Sequence, residues 1–132
     1  MATGVGLALG ASAYAWHQAG DHSPVKVLAA HKMSEDVAGK PATASAVQVT
    51  YEPGQGGAPH HHPGPVLGYV LEGEFEWAID DQPAKVLKAG DTFYEPVGCL
   101  HRVSANAGKE KVRVLAWVIH PQDTDKLVIP AK

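Results

Sequence analysis

Cysteine is almost absent. Cys99 stands alone among 132 residues, so no intrachain disulfide can form and no zinc cluster of several thiolates can be built. Any metal here must be held mainly by nitrogen or oxygen. Charge is sparse as well, at 19% of residues with a formal net charge of −3. No basic stripe is present, which removes nucleic acid and acidic lipid surfaces as natural partners. No apolar run is long enough to span a bilayer, so stable membrane insertion is not expected. The chain has no Gly-x-Ser-x-Gly elbow, no phosphate-binding glycine loop and no His-Glu-x-x-His pair, which leaves hydrolase and nucleotide chemistry without a visible carrier. Internal repeats are missing.

What is there is one domain's worth of chain, long enough to bury about 70% of the surface it would expose unfolded. Residues 1–24 separate from the rest. From Met1 to Gly20 there is no Lys, Arg, Asp or Glu, and Ala11-Ser12-Ala13 and Ala13-Tyr14-Ala15 read as small-x-small cleavage sites, although the positively charged start of a secretory signal is missing. A signal-like or disordered segment is expected there. Export to a periplasm or beyond is the first expectation, with a cytoplasmic location as the alternative.

Residues 25–132 read as strands divided by turn chemistry, with no good helical pattern. "VKVLAAH" (25–31) and "SAVQVTYE" (45–52) alternate, the second placing Val47, Val49 and Tyr51 on one face. Between them "KMSEDVAGKPATA" reads as a loop. "VLGYVLEG", "EFEWAIDD", "AKVLKAGD", "TFYEP", "HRVSAN" and "KVRVLAWVIHP" follow, each bounded by Gly, Pro, Asn or Asp. Short strands at such regular spacing imply an all-β fold closed as a jelly roll, which solves the edge problem. "VRVLAWVI" (112–119) is apolar on both faces. It suits a strand covered on both sides, either within one sandwich or by a second copy in a homodimer.

Three consecutive histidines interrupt a glycine- and proline-rich stretch, "GQGGAPHHHPGP". In an extended segment His60 and His62 project to one side and His61 to the other. A third ligand would have to come from a neighbouring strand, and His101, just after the turn "PVGCLH", is the candidate. Neutral imidazoles suit iron, zinc, copper or nickel, and three of them leave positions open for water or substrate. His17, His22, His31 and His120 lie at no ligand spacing and read as surface residues, as does His61. Tyr69, Phe75, Trp77 and Trp117 read as packing residues of the core or of a subunit contact.

These residues resemble the two sequence motifs of the cupins, small jelly-roll barrels that often bind one divalent metal. Gly54, His60, His62 and Gly73 fall in register with the first motif. Gly90, Pro96, Gly98 and His101 match the second, with Asn106 one place late. The resemblance covers roughly residues 45–119 and implies a single-domain cupin. It departs in one place: where the family usually carries a glutamate ligand, this chain has Val66. Gly68, two residues on, should face the same way, so the two together would clear bulk and charge from the wall beside the metal.

A three-histidine set favours iron first, with zinc, nickel or copper as alternatives, over the harder manganese and magnesium. Such sites resemble those of non-heme dioxygenases acting on β-diketones or thiols, which implies a small substrate that chelates through oxygen. The alternative is a non-catalytic module holding a metal or small ligand. Glu95 in "DTFYEP" is a further site candidate. Facing inward it would be a fourth ligand, or a base with a pKa raised by burial; facing outward it would be a solvated edge residue. Cys99 reads as a small loop residue rather than a ligand.

Overall fold

The structure is a computed structural model that describes residues 24–124 and 126–132. Residues 1–23 of the expected N-terminal segment, His17 and His22 among them, lie outside the described residues. The strands in chain order are β1 (Val25–Val37), β2 (Lys40–Tyr51), β3 (Gly56–Gly57), β4 (His60–His61), β5 (Val66–Glu72), β6 (Glu74–Ile79), β7 (Lys85–Lys88), β8 (Thr92–Glu95), β9 (His101–Asn106), β10 (Val112–Pro121) and β11 (Ile129–Pro130). Among the described residues there is no helix, and none is long and apolar enough to cross a membrane.

Two antiparallel sheets face each other. One has the order β1-β2-β10-β5-β8 and the other β11-β4-β9-β6-β7, with β3 also paired to β9. Sequence neighbours are repeatedly separated and strands from opposite ends of the chain interleave, which is the jelly-roll arrangement expected for this all-β chain.

Period-2 alternation explains which side chains fill the interior. Tyr51, Val70, Phe75, Trp77, Ile79, Val112 and Val114 form one cluster, and Val47, Val66, Ala116 and Val118 form a second. Phe93 packs against both. Each fully buried side chain of this size contributes about 1.5–3 kcal/mol relative to exposure. Gly73 makes the tight passage from β5 to β6 at φ +83°, where an added Cβ would lie 2.4 Å from the Lys111 carbonyl oxygen. Only glycine suits both demands.

Three expectations need correction. The stretch 32–44 is not a loop. β1 and β2 run through it and join in a hairpin whose two turn residues, Ala38 and Gly39, have φ of 52° and 75°. β1 is exposed at almost every position and its register slips between Lys32 and Asp36, so the alternation read over 25–31 does not carry on past His31. His120 is not a surface residue: it is buried at 6% exposure beside Ser45. Finally, β10 sits between β2 and β5 but, among the described residues, is fully covered on one face only. On the outer face Trp117 remains 36% exposed, alongside the exposed Leu67, Tyr69, Leu71 and Tyr94.

Candidate metal centre

His60 opens the short strand β4 and His62 follows it, and His101 opens β9 directly opposite His60 in the ladder. Local chemistry fixes each position. The turn before His101 closes through Cys99 N–H donating to the Pro96 carbonyl at 3.3 Å, with Gly98 at φ +81°. Asp80 Oδ1 then accepts the Leu100 N–H at 2.9 Å, and Arg102 Nε donates to the Asp80 carbonyl at 2.8 Å. The residues on both sides of His101 are thereby tied to the end of β6. On the other wall, Pro63, Gly64 and Pro65 lead from His62 into β5.

The three histidines present one ligand atom each, all within 4.8 Å of one another. Their tautomers follow from the partners of the other ring nitrogen. His60 Nδ1–H donates to the Ala58 carbonyl at 2.7 Å and His62 Nδ1–H to the Leu127 carbonyl at 2.7 Å. Each Nε2 therefore carries a bare lone pair, and the two Nε2 atoms meet at 3.1 Å. Two acceptors at that distance repel unless a cation lies between them. His101 sharpens the point: it is 5% exposed and neither ring nitrogen has a hydrogen-bond partner. Such orphaned buried nitrogens are costly, and a metal ion would satisfy one of them while the Glu95 carboxyl lies 3.2 Å from Nδ1. His61 points away, donating Nδ1–H to the Cys99 carbonyl at 2.9 Å.

Glu95 faces inward, settling the choice the sequence left open. Parity on β8 puts it on the same side as Phe93, and it is 1% exposed. Its Oε1 accepts the Trp77 indole N–H at 3.0 Å and lies 3.2 Å from His101 Nδ1, while Oε2 lies 3.4 Å from His62 Nε2. These contacts are not ion pairs. Burial, reinforced by His60 and His62, pushes His101 down to about 3, and burial also lowers His62. Burial drives the Glu95 carboxyl up to about 7, against the opposing pull of the Trp77 N–H. Below about pH 7 the metal-free centre is a patch of largely uncharged groups that a dication would repolarise.

The cluster opens into a cavity of about 80 Å³ whose walls include Val47, Val66, Phe93, Val118 and Leu127. Val66 lines it as expected. Gly68 does not clear space: a Cβ there would come within 1.9 Å of Phe93, whose ring occupies the room and lies tilted by 37° with its centroid 5.6 Å from that of Trp77. The wall is apolar but filled. Cys99 is half-buried and packed on the core, its thiol raised by burial and by nearby Glu95 and Asp80; neither it nor Glu95 is among the three residues whose ligand atoms all lie within 4.8 Å of one another.

Sequence reasoning missed two contributors. Trp77 was read as core packing, yet its N–H anchors the carboxylate. The segment after β10 was unread, although β11 pairs with β4 and Leu127 orients His62. Trp77 shares a face with Phe75 in "EFEWAI", so its inward aim was legible. Nothing local in the sequence announces Leu127.

Among solved structures, the chain resembles an uncharacterized protein with a double-stranded β-helix domain from Klebsiella pneumoniae subsp. pneumoniae, at 23% identity over 80% of this chain and 83% of that one, TM-score 0.58. A cupin-like protein from Thermotoga maritima is 25% identical over 75% and 68% of the two chains, TM-score 0.53. An oxalate oxidase in complex with the substrate analogue glycolate is 25% identical over 76% of this chain and 52% of its own, TM-score 0.52. No curated protein matches. The cupin domain family model matches residues 47–118, more than half the sequence and the stretch that carries all three clustered histidines, and with the jelly-roll topology this shows that the chain belongs to the cupins.

Proposed function

We propose that this cupin is a metal-dependent oxidoreductase of the dioxygenase type, acting on a small organic molecule that chelates through oxygen. The observation that carries the reading is the convergence of the His60 and His62 Nε2 lone pairs, 3.1 Å apart, at the edge of an apolar cavity. His60, His62 and His101 would hold the ion, iron first and zinc, nickel or copper as alternatives. Iron would supply Lewis acidity and dioxygen chemistry when bound. The chain's own part is to orient and to dry. The Ala58 and Leu127 carbonyls hold two imidazoles in the ligating tautomer, and Val66, Phe93, Val118 and Leu127 exclude water from the reacting end of a substrate.

The oxalate oxidase neighbour, of which this chain spans about half, carries glycolate, a small molecule with oxygens suited to chelation. That supports a substrate of similar size. The test is oxygen uptake by iron-reconstituted protein against small β-diketones, thiols and 2-hydroxy acids. Uptake that depends on substrate and disappears in His62→Ala is the expected result; uptake indifferent to that substitution refutes the reading. One observation favours a non-catalytic metal-binding module instead. The Phe93 ring leaves a cavity of about 80 Å³, below the roughly 300–1,000 Å³ of most ligand pockets. That module would bind metal tightly and turn over nothing.

Two lesser readings accompany this one. The apolar outer face around Trp117, Leu67 and Tyr94 supports a homodimer, which light scattering on the purified protein tests. The small-x-small sequence at 11–15 supports export, and an unprocessed Met1 on protein from the native host would count against it.

A further inference from the structure

We propose that Glu95 is a fourth ligand of the same ion, a carboxylate delivered from β8 in place of the one missing at Val66 on β5. The proposal rests on the three histidines being metal ligands. Its first support is register. Val66 and Glu95 are direct partners in the β5–β8 ladder, and both side chains are buried, at 2% and 1% exposure. Residues opposed in this way on one face of an antiparallel pair have Cβ atoms about 4.5–5.5 Å apart. An acid on either strand therefore reaches into the same part of the barrel.

The second support is the inequality of the two carboxylate oxygens. Oε1 is anchored by the Trp77 indole at 3.0 Å. Oε2 is buried and has no hydrogen-bond partner among the described residues, yet it lies 3.4 Å from His62 Nε2, an atom whose own lone pair is bare because Nδ1 carries the proton given to Leu127. A glutamate kept only as packing for Trp77 would need Oε1 alone. It would have no reason to aim its second oxygen at the nitrogen that His62 also turns toward His60. Trp77 thus acts as the clamp that leaves one oxygen free, as an outer partner does for a ligating carboxylate.

The consequence is a donor set of three imidazoles and one carboxylate, built from β4, β8 and β9 and the residue following β4. One negative charge is returned to the site, so harder ions such as Mn(II), which three imidazoles alone hold poorly, are retained.

Mn(II) is the probe for the test. The full chain, stripped of metal, is titrated with Mn(II) and free ion is followed by electron paramagnetic resonance, with Zn(II) competition in parallel, for the parent, Glu95→Gln, His62→Ala and the double swap Val66→Glu/Glu95→Val. Circular dichroism checks folding of each. Glu95→Gln is expected to weaken Mn(II) at least about tenfold and Zn(II) less, while the swap recovers most of the Mn(II) affinity. Equal Mn(II) binding by the parent and Glu95→Gln, with His62→Ala having lost it, overturns the proposal and leaves the histidine site standing. Mn(II) binding that survives in His62→Ala overturns both, as does a parent that binds neither Mn(II) nor Zn(II); a parent that binds Zn(II) but not Mn(II) overturns the proposal and leaves the histidine site standing. A swap that folds without recovering Mn(II) also overturns the proposal.

Discussion

His101 and His120 are the two most buried imidazoles among the described residues, 5% and 6% exposed, one on β9 and the other on β10. They differ in what surrounds them. His120 is satisfied twice: Nδ1–H donates to the Pro121 carbonyl at 2.9 Å, so Nε2 accepts the Ser45 hydroxyl at 2.8 Å. Among the described residues neither ring nitrogen of His101 meets a partner in good hydrogen-bond geometry, and Nδ1 has only the Glu95 carboxyl 3.2 Å away. A matched buried hydrogen bond adds about 0.5–1.5 kcal/mol, whereas an orphaned group costs about 1–3 kcal/mol. Burial of a polar side chain is therefore no mark of function by itself. Burial with the partners withheld is, because the fold has accepted a cost that only a ligand offsets.

Substitutions that test the two histidines should part in sign. His101→Leu is expected to abolish stoichiometric metal, read by elemental analysis, while raising the melting temperature of the metal-free protein, since an unpaired polar group is exchanged for an apolar one of similar reach. A metal-free variant less stable than its parent would break the contrast. Ser45→Ala strands His120 Nε2 in the interior and should cost about 1–3 kcal/mol in urea unfolding, with metal content unchanged.

Acid provides a third separation. His101 is held at about 3 against an ordinary 6.5, so between those values the unfolded chain binds more protons than the native one and stability falls as pH falls through the window. Glu95, raised from 4.5 to about 7, works the other way: its contribution favours the folded state below about 4.5 and is lost as pH rises toward 7. The two partly cancel between 4.5 and 6.5, leaving the clearest histidine-driven loss below 4.5. Urea midpoints of metal-free parent and His101→Leu should diverge as pH drops from 4.5 to 3, with the variant losing less. The smallest effect belongs to His61→Ala, which removes one partly exposed hydrogen bond to the Cys99 carbonyl. Metal should be retained and stability should change by about 1 kcal/mol or less.

Much of the centre was legible because strand parity is a local property. The two-residue spacing of His60 and His62 puts them on one side, and the turn "PVGCLH" delivers His101 across the ladder. What escaped depends on register between strands far apart in sequence. Gly68 promised space until pairing set Phe93 over it. Leu127 reaches His62 from 65 positions away, and no spacing rule covers that. The β1–β2 hairpin escaped for a different reason. Beyond His31 this edge strand, exposed on both faces, has no hydrophobic period to read, and the positive φ at Ala38 gives a turn no glycine or asparagine signal at its first position. His120 was misplaced because spacing rules recognise ligands and ignore core imidazoles with a private hydroxyl.

The Trp77–Glu95 hydrogen bond has a consequence for light. Trp77 is sealed in the interior against the centre, whereas Trp117 lies on the outer face; Trp117 and Trp16, the latter outside the described residues, can both be replaced by phenylalanine to darken the background. An indole whose N–H is tied to the carboxylate shifts its emission with the charge on that carboxylate. An open-shell ion nearby dims it, while closed-shell zinc leaves it bright. The barrel thus carries a built-in lamp beside its histidines, and the colour and intensity of one tryptophan report which ion has entered.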